Sequence, residues 1–117
     1  MSLNIYGKIP TQECECPKCG AEFTQFTTVF DMNITHNLKK MAVEAGCGIL
    51  WDLWDKKAWE IITDVKSAIK NLEENPEKFD AFNAPNGWGT RIQFIPWLKQ
   101  LLEKLEEFPH AKLLISK

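Results

Sequence analysis

Three cysteines near the start of the chain, in the stretch CECPKCG (14–20), have a spacing typical of metal ligands. Cys16 and Cys19 are separated by two residues, which lets both thiolates hold one tetrahedral ion from a tight turn. The proline between them pre-sets the backbone, and the glycine after them tolerates a positive φ. Cys14 can add a third thiolate, because alternate residues of an extended segment point to the same side. The expected ion is Zn²⁺.

The fourth ligand of such a site has to come from elsewhere. Cys47 lies between two glycines, where the backbone can bend toward a metal, and it would complete a structural site of four thiolates. His36 is the alternative within one chain. In a third arrangement two chains share one ion, which would make zinc the clasp of a homodimer. We favour Cys47, so the predicted metal ligands are Cys14, Cys16, Cys19 and Cys47.

Two other interpretations of the cysteines involve no metal. All four can be reduced thiols, with Cys47 buried as a small hydrophobic residue. Redox catalysis by Cys16 and Cys19 is disfavoured, because the motif precedes a predicted strand and does not open a helix whose N-terminus would lower the thiol pKa.

A second group of polar residues lies where a predicted strand gives way to a helix, and it comprises Asn33, Thr35, His36 and Asn37. Free backbone N–H groups at such a junction attract anions and carbonyl-rich ligands. The functional interpretation is a small pocket in which His36 is a hydrogen-bonding group or a general base. Helix capping by Thr35 or Asn33 is the structural interpretation, and it explains most of the same residue types.

The sequence NGWGT (86–90) also has both a structural and a functional interpretation. Asn-Gly is a turn dipeptide, Gly89 frees the backbone, and Thr90 can cap the helix that follows. Trp88 can fold back as a lid on the core, or it can stack on a planar ligand. The candidate ligand-binding residues of the two segments are Asn33, Thr35, His36, Asn37, Asn86 and Trp88.

Periodicity in the rest of the chain predicts the elements that position these residues. Residues 1–13 carry little pattern and are expected to form an N-terminal arm. β-Branched and aromatic residues predict a strand over 23–30, and a closing strand over 111–116 is expected to pair with it. Apolar spacing predicts four helices: one ending at Gly46, a long one with a stripe from Leu50 to Leu72 that starts near Leu50 or at Asp55, a short one opened by Pro76, and a last one capped by Thr90.

The predicted fold class is α+β, with a zinc-knuckle head and three or four helices packed on a small antiparallel sheet. We expect a single domain over 1–117, in which the knuckle and first strand occupy 14–30 and a helical body with a C-terminal strand occupies 31–117. Trp59 falls off the apolar stripe of the long helix, and an exposed aromatic residue there would indicate a partner surface.

Composition argues against several classes of function. The chain of 117 residues carries 14 Lys and Arg against 16 Asp and Glu, a net charge of −2, which argues against duplex nucleic acid as a partner. No apolar run approaches the roughly 18 residues of a membrane span, and the N-terminus lacks the apolar region of a signal peptide. We therefore expect a cytoplasmic protein, and in that compartment cysteines are more often metal ligands or free thiols than disulfides.

Two of these motifs resemble those of a known family. The segment NITHNLKKMAVEAG (33–46), the later PNGWGT (85–90) and the ending of helix, Pro-His-Ala and strand are similar to a family of small uncharacterised proteins of phages, prophages and their bacterial hosts. The resemblance covers roughly residues 16–117. It implies a CPxCG-type knuckle followed by a strand, and it supplies no catalytic residue. Tyrosine can stand at the position of His36 in that family, which argues against an obligatory metal-ligand role for this histidine.

These observations favour a non-enzymatic, zinc-stabilised binding or adaptor protein whose partner is a host protein or a small polar ligand. One alternative is a protein that binds or sequesters a nucleotide or another small molecule. A second is a small hydrolase that uses His36 in an Asn-rich pocket. A third is binding of single-stranded nucleic acid through Lys18, Trp59 and Trp88.

Overall fold

The N-terminal residues form a central strand of the fold. The computed structural model describes residues 2–15, 22–53, 56–87 and 89–116. A short 3-10 turn, His36–Leu38, precedes the first α-helix, and a second one, Gly48–Trp51, follows it. The described residues form the strands β1 (Ser2–Glu15), β2 (Glu22–Thr35), β3 (Lys56–Lys57) and β4 (Lys112–Ser116) and the helices α1 (Lys39–Ala45), α2 (Ala58–Glu74), α3 (Pro76–Asp80) and α4 (Arg91–Glu107).

The strands form one antiparallel sheet in the order β2-β1-β4-β3. The expected arm at residues 1–13 was therefore wrong, because nearly all of it belongs to β1. Leu3 and Ile5 are fully buried at alternate positions, the pattern of a strand that packs one face on a core. The predicted pairing of 23–30 with 111–116 was wrong for the same reason, since β1 lies between β2 and β4.

Gly7 allows β1 to pass under an aromatic ring. A Cβ atom at this position would overlap the Phe30 ring on the neighbouring strand. Phe30 is 6% exposed and its ring stacks on Phe108, with 6.4 Å between the ring centroids. The missing side chain of Gly7 thus makes room for an aromatic contact between the sheet and the end of α4.

The helices follow the predicted pattern with one difference. α1 ends at Gly46, whose φ of 103° is left-handed, and α4 opens with a capping box between Thr90 and Gln93. The long stripe from Leu50 is not one helix, because Leu50 lies in the second 3-10 turn and α2 begins at Ala58. Asp55, the alternative start, lies outside the described residues.

A hydrophobic cluster of described residues joins the sheet to the helices, which confirms the α+β class. Leu3 and Leu113 contribute from the sheet, while Ile61 and Leu98 contribute from the two long helices. In the part of the chain that the structure describes, no helix combines the length and the hydrophobicity needed to cross a bilayer.

The β1–β2 hairpin continues well past its neighbour in the sheet. β4 pairs with β1 only between Asn4 and Lys8, whereas the pairing with β2 runs on to Glu15 and Glu22. The molecule accordingly measures 59 × 26 × 17 Å along its principal axes. The predicted ligands Cys16 and Cys19 follow this hairpin end in the chain and lie outside the described residues.

Candidate ligand-binding cleft

An open cleft of about 580 Å³ lies between the two segments that the sequence singled out. This volume is within the range of small-molecule sites, roughly 300–1,000 Å³. One wall comes from the 3-10 turn and the start of α1, and the other comes from the loop between α3 and α4. The lining residues are His36, Asn37, Lys40, Phe82, Asn83, Ala84, Pro85 and Asn86.

Gly89 brings the two segments into contact. It is buried, and a Cβ atom at this position would lie 3.0 Å from the Cβ of Asn37 and 3.3 Å from the Cγ2 of Thr35. Its φ of 118° is disfavoured for any residue with a side chain. The close approach of the NGWGT loop to the NITHN segment therefore depends on glycine at this position.

Hydrogen bonds inside the loop hold its shape. The backbone N–H of Ala84 donates to the carbonyl of Gly89 at 3.0 Å, and that of Gly87 donates to the carbonyl of Ala84 at 3.0 Å. The side-chain oxygen of Gln93 accepts from the backbone N–H groups of both Gly89 and Thr90. The loop is thus fixed at both of its ends and forms a preorganised wall.

Asn83 ties the same loop to the start of α4. Its Oδ1 accepts the backbone N–H of Arg91 at 2.8 Å, and its Nδ2 donates to Asp80. The guanidinium of Arg91 pairs with the Asp80 carboxylate, with 2.9 Å between Nε and Oδ1. Asp80 thus has an ion-pair partner in Arg91 and does not itself line the cleft.

His36 is oriented by a buried tryptophan. The indole Nε1–H of Trp51 donates to Nδ1 of His36 at 2.9 Å, and Trp51 is only 1% exposed. A ring nitrogen that accepts a hydrogen bond carries no proton, so the neutral imidazole holds its proton on Nε2. His36 therefore presents an N–H donor on its other side.

Lys40 gives the cleft a positive charge. It lies one helical turn after His36, and none of the residues that line the cleft is a carboxylate. Among the described residues, no acidic side chain lies within ion-pair distance of the Lys40 ammonium. Lysine, histidine and amide groups therefore dominate the polar part of the lining.

The other predicted ligand-binding residues have structural roles or lie elsewhere. Thr35 caps the 3-10 turn, since its Oγ1 accepts from the backbone N–H of Asn37 at 3.3 Å. The side chain of Asn33 donates to Ser2 and Asn4 across the hairpin, and its carbonyl accepts from Nε1 of Trp97. Trp88 lies outside the described residues.

Cys47 is a buried residue of the core. It is fully buried, and burial raises the pKa of its thiol to about 12. The backbone hydrogen bond of Cys47 acts in the opposite direction, and the Asp64 carboxylate adds to the increase. Desolvation is the main cause, because it disfavours the thiolate.

The hairpin register keeps Cys47 and His36 away from Cys14. Cys14 pairs with Phe23, and Thr35 lies twelve positions after Phe23 along β2. At ~3.3 Å per residue this places Cys14 about 40 Å from the residue that precedes His36.

Like His36, Cys47 also lies too far from Cys14 to share an ion with it. The path from Thr35 to Cys47, through a 3-10 turn and α1, spans at most about 26 Å, which cannot cover the distance of about 40 Å between Thr35 and Cys14. Two sulfurs on one zinc lie about 4 Å apart, so the structure brings neither residue to Cys14 within one chain. Among the described residues no group of three or more His, Cys, Asp or Glu side chains could hold a metal ion.

Several residues of the site were not among the sequence candidates. Lys40 follows His36 by one helical turn, and this spacing places both on one face, so the sequence did contain that signal. No sequence signal pointed to Trp51, because its contact with His36 depends on how the second 3-10 turn packs. Trp59 is 56% exposed, as the stripe of α2 predicts, and lies outside the cleft.

Comparisons of the chain with protein-family models, with curated proteins and with solved structures found no match.

Proposed function

We propose that this protein is a non-enzymatic binding protein whose cleft holds a small polar molecule. The observation that carries the proposal is the convergence of two distant segments on one preorganised cleft. Gly89 lies against Asn37, and Asn86 faces the same space as His36. Capping and turn formation explain each segment alone, but they do not explain why both line one open cleft.

The hydrogen bond from Trp51 favours binding over hydrolysis. A general base needs an unprotonated nitrogen within reach of its substrate. The unprotonated Nδ1 of His36 accepts from the buried indole, and no carboxylate lines the cleft to serve in its place. The arrangement suits a hydrogen-bond donor better than a base.

The proposal includes a structural zinc ion, bound by cysteines near the end of β1. The register argues against Cys47 or His36 as a partner of Cys14 in the same chain. Two chains that each contribute the knuckle thiolates of Cys16 and Cys19 would complete four-coordination of one ion, which makes zinc the clasp of a homodimer. The resemblance to phage and prophage proteins suggests that the ligand is captured in the host cytoplasm.

The test of the proposed function is a thermal-shift screen with nucleoside monophosphates, amino acids and small dicarboxylates. A ligand at one hundred times its Kd adds about 2.7 kcal/mol to the free energy of unfolding, which raises the melting temperature by several degrees. We expect at least one compound to do so in the wild-type protein and to lose the effect in Asn86→Ala. Asn75→Ala, an exposed asparagine away from the cleft, is the matched control. Equal shifts in both variants would place the ligand elsewhere and contradict the proposal.

A further inference from the structure

We infer that the cleft selects an oxyanion, a carboxylate or phosphate group on a compact organic body, and that Trp51 is the positioning residue that makes His36 a fixed donor to it. The inference rests on the proposed function and names its ligand class. It depends on three features of the site: the tautomer of His36, the charge of Lys40, which pairs with no carboxylate in the described part of the chain, and the apolar wall formed by Phe82.

The Trp51 indole selects the tautomer of His36. Trp51 is 1% exposed, and its Nε1–H donates to Nδ1 of His36 at 2.9 Å. A proton on Nδ1 would set two donors against each other and leave a buried N–H without an acceptor, which is strongly disfavoured. The proton therefore resides on Nε2, and within the described residues no acceptor contacts that nitrogen. A ligand oxygen in the cleft can supply the missing acceptor.

The charge of the cleft favours the same ligand class. Lys40 lines it, and the nearby Asp80 carboxylate is held by Arg91. A negatively charged ligand gains the attraction of the ammonium group, whereas a cationic ligand meets no carboxylate in the lining. The cleft is open to water, so this attraction weakens at high ionic strength.

The body of the ligand lies against an apolar wall. Phe82 is half-buried and its ring is tilted against Phe79, with 6.5 Å between the centroids, while Pro85 continues the wall. Aromatic and aliphatic surface of this kind favours a flat or compact organic group. An oxyanion attached to such a group uses both the wall and the donors.

The test is a titration with probes of similar shape and different charge: benzoate, phenyl phosphate, neutral benzamide and cationic benzamidine. Binding is followed in two-dimensional ¹H–¹⁵N NMR spectra at low salt. We expect at least one of the two anions to bind about tenfold more tightly than benzamide and benzamidine to bind no better than benzamide. The tighter of the two anions identifies whether carboxylate or phosphate is preferred. The inference would be overturned if benzamide bound as tightly as the anions, or if neither anion bound. If benzamide and the anions bound equally tightly at the cleft, the proposed small-molecule site would still stand and only the preference for an oxyanion would be lost.

Two substitutions assign the preference to the named residues. Lys40→Gln should reduce anion affinity about fivefold or more and leave benzamide unchanged. The control is Lys39→Gln, an exposed neighbour that does not line the cleft. Equal losses of anion affinity in the two variants would contradict a specific role for Lys40.

Long-range ¹H–¹⁵N NMR reads the tautomer of His36 directly, with the exposed His110 as an internal reference. In the wild-type protein we expect the proton on Nε2. Trp51→Phe removes the indole donor, and we expect a mixture of tautomers together with weaker anion binding. A proton on Nδ1 in the wild-type protein would overturn the positioning role, and this result does not depend on whether the variant folds.

Discussion

Gly89 and Asn37, far apart in the sequence, approach each other so closely that a single methyl group on the glycine would lie 3.0 Å from the Cβ of the asparagine. This contact joins the loop before α4 to the segment between β2 and α1. The open cleft beside it is lined by residues of both segments. The geometry of the site therefore depends on one glycine that does not itself line the cleft.

Gly89→Ala should destabilise the protein and weaken ligand binding together. The backbone has a φ of 118° and the added methyl meets the Asn37 side chain, so we expect a loss of about 2–3 kcal/mol in the free energy of unfolding. Gly87→Ala is the control, because Gly87 has a φ of 75° with nothing within 4 Å of an added Cβ. That variant should lose only about 1 kcal/mol, the cost of a side chain at a left-handed φ. Equal losses in urea denaturation would show that the contact with Asn37 is unimportant.

The contact between Gly7 and Phe30 predicts a rescue experiment. Gly7→Ala places a methyl group in steric overlap with one edge of the Phe30 ring and should cost about 1–3 kcal/mol of unfolding free energy. Phe30→Leu removes the ring and has its own cost, but the added alanine should then be tolerated. A double-mutant cycle in urea is expected to give a coupling energy above about 1 kcal/mol. Additive effects would mean that the loss in Gly7→Ala arises from the strand backbone.

The buried thiol of Cys47 predicts how stability changes at alkaline pH. Its pKa is about 12 in the folded chain and 9.0 when unshifted, so between these values the unfolded chain loses its proton first. The contribution to stability is fully present below pH 9 and falls with rising pH by up to about 1.4 kcal/mol per unit. The difference in unfolding free energy between wild type and Cys47→Ala should therefore shrink between pH 9 and 10.5. A constant difference would contradict the burial of this thiol.

Native mass spectrometry of untagged protein tests the zinc proposal. We expect one zinc per two chains, because the hairpin register separates Cys47 and His36 from Cys14. Cys47→Ala should keep its metal, whereas Cys16→Ala should lose both the metal and the dimer. Loss of zinc in Cys47→Ala with one ion per wild-type chain would support the intrachain site of four thiolates instead.

The sequence was most informative where periodicity was long and uninterrupted. The end of the first helix at Gly46 and the start of the last helix after Thr90 were predicted. β1 was missed although Leu3, Ile5 and Ile9 alternate, because Gly7 interrupts the pattern at the point where the Phe30 ring passes. Its central position in the sheet depends on long-range pairing, which periodicity does not report.

The candidate site was predicted in part for a related reason. His36, Asn37 and Asn86 were named from capping and turn chemistry, and all three line the cleft. Thr35 and Asn33 are polar residues of the same segment as His36 and Asn37, but their side chains are engaged in a helix cap and in the hairpin. Local chemistry identified polar segments, whereas tertiary packing decided which of their side chains face the cleft.

The most direct test of the central claim is chemical-shift mapping of the cleft with a bound ligand. The protein is labelled with ¹⁵N and titrated with the tightest compound of the thermal-shift screen. The account predicts shifts concentrated at His36, Asn37, Lys40 and Asn86, with the exposed Trp59, which does not line the cleft, as an unperturbed reference. Shifts centred on Trp59, or spread without preference over the surface, would contradict the claim that the two segments form the binding site.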